Sequence, residues 1–277
     1  MLKELIKKYN VPGPRYTSYP TVPYWDKKGI DYQLWVKSCK RAFQESNGSE
    51  GISVYIHLPF CENLCTFCGC HKRITKRHDV EEPYLETVLK EWKLYVDILG
   101  EKPRIKELHL GGGTPTFFSS ENLKKLMNGI FELSEVLPHQ EFSFEGHPNH
   151  TTKEQLQTLF DLGFNRNSFG VQDYDPEVQK TINRVQPYEN VRKVTDWSRE
   201  IGYQSISHDL VYGLPKQNMK SIEQTILKTQ KLLPDRIAFY SYAHVPWIKG
   251  VGQRGFDEND LPKDEEKRAL YERGKQL

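Results

Sequence analysis

Ile52-Ser53-Val54-Tyr55-Ile56-His57-Leu58-Pro59-Phe60-Cys61-Glu62-Asn63-Leu64-Cys65-Thr66-Phe67-Cys68-Gly69-Cys70 is a strand-like run that empties into a crowd of thiols. Four of the chain's five cysteines fall between positions 61 and 70. Disulfides that stabilise a secreted fold close loops, so they spread their cysteines along the chain. Crowding of this kind points instead to a metal or redox centre. The spacing is C-x3-C-x2-C with Cys70 two residues on. Thiolates are the natural ligands of iron–sulfur clusters. A compact loop can set three sulfurs on three corners of a cubane and leave one iron open, as a substrate-binding cluster requires. Structural zinc usually takes two separated ligand pairs in closed tetrahedral geometry. No cysteine follows Cys70 to supply a second pair, although His71 could complete a small site. Cys39, alone in the helix-like stretch 34–45, reads as a small packed residue.

Outward from this loop, strand and helix patterns alternate. The expected strands are Ile52–Leu58, Ile105–Leu110, Glu141–His147, Phe164–Val171, Tyr203–Leu210 and Arg236–Ala243. The expected helices are Glu81–Leu99, Glu121–Leu133, Lys153–Leu162, Tyr188–Ile201 and Ser221–Leu232, with a last one from about Lys263 to the end. Thr152 with Gln155 fits a capping box, and Asn218 can cap the next helix. Six βα units in succession imply parallel strands and right-handed crossovers. The fold class is therefore α/β, expected as a partial (β/α)6 barrel over 51–277, with an open doubly wound sheet as the other arrangement that fits. Residues 1–50 break the rhythm and contain the turn-rich segment 11–20; they are expected to form an N-terminal extension. In either architecture reactive groups gather where strands end. Cys61, Gly111–Thr114, Glu145, Gln172, Asp209 and Ala243 stand at or after the ends of successive strands. That convergence argues for one site more strongly than any single motif does.

Composition excludes several classes. The chain has 277 residues, 37% of them hydrophobic, and a net charge of +2. The near balance gives no reason to expect nucleic acid. No apolar run approaches the ~20 residues that span a bilayer, and residues 1–8 have no apolar core of signal-peptide length. A cytoplasmic location is expected by default.

Gly111-Gly112-Gly113-Thr114-Pro115-Thr116 is neither a Rossmann fingerprint nor a phosphate loop. Read alone it is a strand-to-helix turn in which glycines let the backbone approach a ligand. A carboxylate at Glu145 suits a ribose or an ammonium group, and equally a salt bridge to a neighbouring strand. Gln172, Asp209 and Arg184 would each pass as exposed polar residues if taken singly.

Together these motifs resemble the radical S-adenosylmethionine superfamily, through C-x3-C-x-aromatic-C after the first strand and Gly-Gly-Gly-Thr-Pro after the second. The resemblance implies that Cys61, Cys65 and Cys68 ligate a [4Fe–4S] cluster whose fourth iron chelates S-adenosylmethionine, with Phe67 against that cofactor. Within the superfamily the chain looks like the oxygen-independent coproporphyrinogen III oxidase (dehydrogenase) family of haem biosynthesis. The matching segments are 13–21, 55–61, 68–70, 163–166, 170–173 and 212–217, so the likeness runs along essentially the whole chain. By this match Tyr55, Gly112, Gly113, Thr114, Glu145, Gln172, Arg184, Asp209 and Ala243 inherit cofactor-binding roles, some for a second S-adenosylmethionine. Tyr55 and His57 are the candidate catalytic side chains, His57 as a proton-handling group or a packed strand histidine.

The reaction so implied needs a group that removes hydrogen from an unactivated carbon, which acid–base side chains cannot do. In the family a reduced cluster cleaves S-adenosylmethionine, and the resulting radical attacks the β-carbon of a substrate propionate. Loss of CO2 and one electron leaves a vinyl group, and two rounds turn coproporphyrinogen III into protoporphyrinogen IX. A flavodoxin or ferredoxin is the expected electron donor and a monomer the expected state, with no nucleic-acid or membrane partner. A haem-carrying protein of the same superfamily is the rival; Arg15–Pro20 and Cys70 speak for the oxidase. Departures are Gly146-His147, where the family more usually has an apolar residue and an aspartate, and Asn167, which interrupts an apolar strand. The sequence also stops inside a helical pattern, so a fragment lacking the family's C-terminal helical domain is expected, able to cleave S-adenosylmethionine slowly but to convert little substrate.

Overall fold

β1 (Ile52–Leu58), β2 (Arg104–Gly112), β3 (Glu135–Gly146), β4 (Phe164–Gln172), β5 (Ser205–Tyr212) and β6 (Arg236–Ser241) lie side by side in chain order in one sheet. Every neighbouring pair is parallel. β1 and β6 are the two edges of this sheet, so it is a partial barrel. These features come from a computed structural model, which describes residues 4, 5, 8, 19–21, 24–26, 29, 31–247 and 252–277. Residues 11–18 of the turn-rich segment lie outside the described residues. The chain divides into two compact units, Met1–Ala42 and Phe43–Leu277, and the sheet belongs to the second. Helix α1 (Tyr32–Ser46) carries the chain from the first unit to the second.

Parallel strands need a crossover between each pair. Here these are α2 (Glu81–Leu99), α3 (Ser120–Glu132), α4 (Lys153–Asp161), the pair α5 (Pro176–Thr181) and α6 (Tyr188–Ile201), and α7 (Met219–Leu232). α8 (Asp264–Gln276) follows β6. Local chemistry sets their starts. Thr152 Oγ1 accepts from Gln155 N at 3.1 Å while Gln155 Oε1 accepts from Thr152 N at 2.8 Å, the expected capping box. Asn218 and Ser221 form a second box, which starts α7 at Met219, earlier than the expected Ser221. α5 escapes the sequence pattern because it has only six residues; Asp175 caps it and Pro176 opens it.

The two faces of the sheet differ in kind. One face packs Leu108, Leu110, Phe142, Phe144, Phe164 and Phe169, all essentially buried, in a core with the helices. Each such side chain contributes roughly 1.5–3 kcal/mol by leaving water. The polar residues on this face are bonded within it: Asn167 donates to Ser198 Oγ at 3.0 Å, and His208 meets Thr195 Oγ1 at 3.0 Å. The other face carries Tyr55, His109, Ser143, Glu145, Ser168 and Asp209, linked by ring stacking and hydrogen bonds. A sheet whose apolar face is covered by helices and whose polar face is open positions a site, not a second core.

Of the expected boundaries that move, three bear on the site. β3 begins at Glu135 and not Glu141, because the chain continues through Pro138 and His139 with a register irregularity that Lys106 holds by donating to both carbonyls. β5 runs on to Tyr212, so Asp209 lies inside the strand and does not end it. β6 stops at Ser241, which leaves Ala243 in the following loop.

Candidate active site at the strand ends

Each strand end delivers one piece of the site. After β1 the chain turns at Pro59 into Phe60–Cys61, which pairs with Arg73–Ile74. The glycine turn after β2 locks beneath it: Gly113 N donates to Leu58 O at 2.8 Å and Thr114 N to Phe60 O at 2.9 Å. A Cβ on Gly113 would lie 2.5 Å from the Pro59 carbonyl, and one on Gly112, whose φ is +114°, would lie 2.6 Å from the His57 ring. Glycine is required at both positions for the turn to lie this close. Thr114 Oγ1 sits 3.3 Å from Cys61 Sγ.

The cysteine loop is fastened from two further directions. Thr66 N donates to Ile182 O at 2.9 Å and Asn183 Nδ2 to Leu64 O at 2.7 Å, both just past α5. Arg184 reaches Cys65 Sγ at 3.5 Å with one amino group and donates to Gly170 O at 2.6 Å with the other. From beyond β6, Gly252 N donates to Cys68 O at 2.8 Å. Gln253 Nε2 bridges Ala243 O at 2.7 Å and Phe67 O at 3.2 Å. Phe67 itself packs on the apolar cluster of Val178, Ile182, Leu214 and Tyr242.

On the polar face Tyr55 stacks on His109 and its hydroxyl lies 3.0 Å from His57 Nδ1. His57 Nε2 is 2.9 Å from the His71 carbonyl. A carbonyl only accepts, so Nε2 carries the ring proton and Nδ1 accepts from the Tyr55 hydroxyl. Glu145 Oε2 accepts from Gly112 N at 3.3 Å, and Oε1 lies 3.5 Å from His109 Nε2. Asp209 accepts from Ser168 Oγ at 2.6 Å; burial raises its carboxyl, and the Glu145 charge adds to the rise. Gln172 takes a left-handed φ of 67°, and it and Arg184 both press over Gly170. Thus Tyr55, His57, Gly112 and Glu145 form one group, and Cys65, Arg184 and Gln172 another. Ser168 brings in Asp209, and Gln253 brings in Phe67 and Ala243.

Sequence reasoning missed His109, Ser168 and Gln253. The first two keep the period of two that places them beside Gly111 and Gly170. Gln253 gave no local signal.

Residues 55–228 match the radical SAM superfamily. The chain belongs to this superfamily. Oxygen-independent coproporphyrinogen III oxidase from Helicobacter pylori is 41% identical over 276 residues, which are 97% of this chain and 58% of that protein. The corresponding proteins of Synechocystis and Escherichia coli are 39% and 36% identical. They cover 97% and 95% of this chain, and 57% and 56% of their own lengths. The solved structure of Escherichia coli coproporphyrinogen III oxidase, described as a radical SAM enzyme, superposes with a TM-score of 0.86 at 33% identity over 97% of this chain and 59% of that one. A radical SAM methyltransferase from Kitasatospora setae, at 15% identity and TM-score 0.52, shares the fold. This chain spans a little over half the length of the curated relatives it matches.

Radical SAM membership implies a [4Fe–4S] cluster and S-adenosylmethionine as cofactors. The donor set fits. Cys61, Cys65 and Cys68 are free and half-buried, and the Arg184 cation faces the loop. Among the described residues no three His, Cys, Asp or Glu side chains surround a single ion position. Cys68 accepts from the Cys70 thiol, and its own thiol is drawn down to about 6 by that bond, against the effect of burial, with Lys72 and Arg184 assisting. The same bond, with burial, holds Cys70 protonated. Burial raises Cys61, and the Thr114 hydroxyl partly offsets this.

Proposed function

We propose that this chain serves the oxidative decarboxylation of two propionates of coproporphyrinogen III to vinyl groups, yielding protoporphyrinogen IX, and supplies the residues that generate the radical. The observation that carries the reading is that identity of 36–41% to enzymes so named extends over nearly the whole chain, site included. When bound, the cluster and S-adenosylmethionine supply the one-electron chemistry that takes hydrogen from an unactivated carbon. Cys61, Cys65 and Cys68 are the cluster ligands in this reading, and the Gly112–Thr114 backbone and Phe67 border the cofactor. Glu145 and Asp209 would offer carboxylate oxygens to its hydroxyl and ammonium groups, Arg184 would pair with a carboxylate, and Gln172 and Ala243 would complete the cofactor-binding positions, some of which would serve a second cofactor molecule. Tyr55 and His57 hold a proton between them beside the open face, where they can donate to and orient a substrate carboxylate. A flavodoxin or ferredoxin as donor, and work as a cytoplasmic monomer, complete the reading. Among the described residues no helix is long and apolar enough to cross a membrane. A haem-carrying role is not favoured, since the relatives named above are oxidases.

The test is anaerobic reconstitution followed by measurement of iron, sulfide, 5′-deoxyadenosine and protoporphyrinogen. Protein that takes up iron and sulfide but never cleaves S-adenosylmethionine would defeat the reading. The pocket is tested separately by alanine at Glu145, Gln172, Arg184 or Asp209. Removing Asp209 should weaken S-adenosylmethionine binding by about 1–3 kcal/mol, because it takes away a half-buried acceptor. Equilibrium dialysis on cluster-loaded protein reads this directly. Wild-type affinity in all four variants would exclude these residues from the pocket.

A further inference from the structure

After Cys70 the chain reads His71-Lys72-Arg73-Ile74-Thr75-Lys76-Arg77, four cations and no acid in a chain of net charge +2. Backbone bonds lay this tract along the cysteine loop: Arg73 N donates to Pro59 O at 2.8 Å and Thr75 N to Cys61 O at 2.9 Å. Its outer surface is open, with Arg73, Ile74, Lys76 and Arg77 exposed. The neighbouring acids are already occupied. Asp79 pairs with Arg77, Glu82 with Lys125 and Glu62 with His150, while Glu81 is buried against His78, Ser119 and Asn122. Lys72 Nζ rests on the Cys68 and Cys70 carbonyls, not on a carboxylate. Among the described residues Arg73 and Lys76 meet no partner. Three uncompensated cations therefore flank an exposed isoleucine, one hydrogen bond from Cys61.

We propose that this tract is the docking surface for an acidic, soluble one-electron carrier protein. The proposal rests on the reading that the loop holds a cluster, and it names where that cluster is reduced. The step moves one electron: the carrier is oxidised by one, the cluster is reduced by one, and no bond or proton is exchanged. Electron transfer needs the carrier's centre brought close to the loop, and a short, transient encounter suits it better than a large interface. Complementary charge speeds such an encounter and fixes its orientation. A solvated charged surface would need neither the alignment with Cys61 nor the neutralised acids around it.

The experiment uses Arg73→Glu/Lys76→Glu, with Arg73→Lys/Lys76→Arg as the conservative control. Both side chains are exposed, so the core is untouched; Arg73→Gln/Lys76→Gln serves if the reversal fails to fold. Binding of a purified acidic flavodoxin to the cluster-free chain is measured at several salt concentrations. The reversal should weaken it about tenfold or more at low salt and flatten its salt dependence, while the control binds as wild type. In cluster-loaded protein, reduction by that flavodoxin should slow in parallel while reduction by dithionite does not change. Undiminished flavodoxin binding by the reversed variant overturns the docking surface. So does retained flavodoxin binding with lost affinity for coproporphyrinogen, which would assign the cations to substrate carboxylates. A chain that assembles no cluster overturns instead the reading beneath the proposal.

Discussion

Alanine at Cys61, Cys65 or Cys68 is expected to abolish the iron–sulfur absorption of the reconstituted chain, and alanine at Cys70 to leave most of it. The three thiols are held by different anchors: Cys61 beside Thr114, Cys65 under Arg184, and Cys68 where Gly252 binds its carbonyl. Loss of any one removes a sulfur from a position that its own anchor holds. Cys70 is the exposed member of the four and donates its S–H to Cys68 while keeping its proton. A group acting as donor to a ligand tunes the cluster and does not hold it. Iron and sulfide content together with the visible spectrum decide the matter. A Cys70→Ala protein as colourless as Cys65→Ala would show that Cys70 is itself a ligand.

The same loop shows what was legible in the sequence. Spacing alone singled out Cys61, Cys65 and Cys68 as one group, because thiols crowded at C-x3-C-x2-C are a purely local pattern. The alternation of strands and helices was equally plain, since each βα unit repeats one burial pattern and the caps at Thr152 and Asn218 are local bonds. Features that depend on distant partners were not legible. Gln253 binds Phe67 across 186 positions, and no nearby residue betrays it. β3 hid its first turn of sequence behind Pro138, a residue that normally argues against a strand interior. Ala243 looked like a strand residue because its neighbours are apolar, yet its carbonyl is taken by Gln253 and the strand has already ended. The near balance of charge over the whole chain gave no sign of the basic tract after Cys70. Only the pairings of Asp79 and Glu82 elsewhere leave Arg73 and Lys76 uncompensated.

Two buried groups, one on β5 and one just past β4, should give the chain opposing responses to acid. His208 on β5 is fully buried. Thr195 spends its hydroxyl proton on Val191 O at 2.7 Å, so its oxygen accepts from His208 Nε2 and the ring's Nδ1 is left without a partner. Protonating Nδ1 would bury a charge and an unsatisfied donor. Burial first, and the Arg199 charge second, push this imidazole down to about 4. Stability from the neutral ring is fully present above its unfolded value of about 6.5 and is lost as pH falls through 4, about 3 kcal/mol in all. Asp173, just past β4, is also fully buried, and accepts from Asp175 N, Thr225 Oγ1 and Gln217 Nε2 at 2.6, 2.9 and 2.6 Å. Burial raises it from 3.8 to about 6 although all three donors resist the rise. Its sign is opposite: the contribution is complete below 3.8 and is lost as pH climbs through 6, again about 3 kcal/mol. Urea unfolding of cluster-free protein at pH 7 and pH 4 separates the two. Relative to His208→Gln, the wild type should lose about 3 kcal/mol on acidification; relative to Asp173→Asn, it should gain about as much. The asparagine turns a donor toward Gln217 and lowers stability at every pH, but that offset does not alter the slope. Wild-type and variant curves that run parallel across this range would mean that neither group's ionisation is coupled to folding.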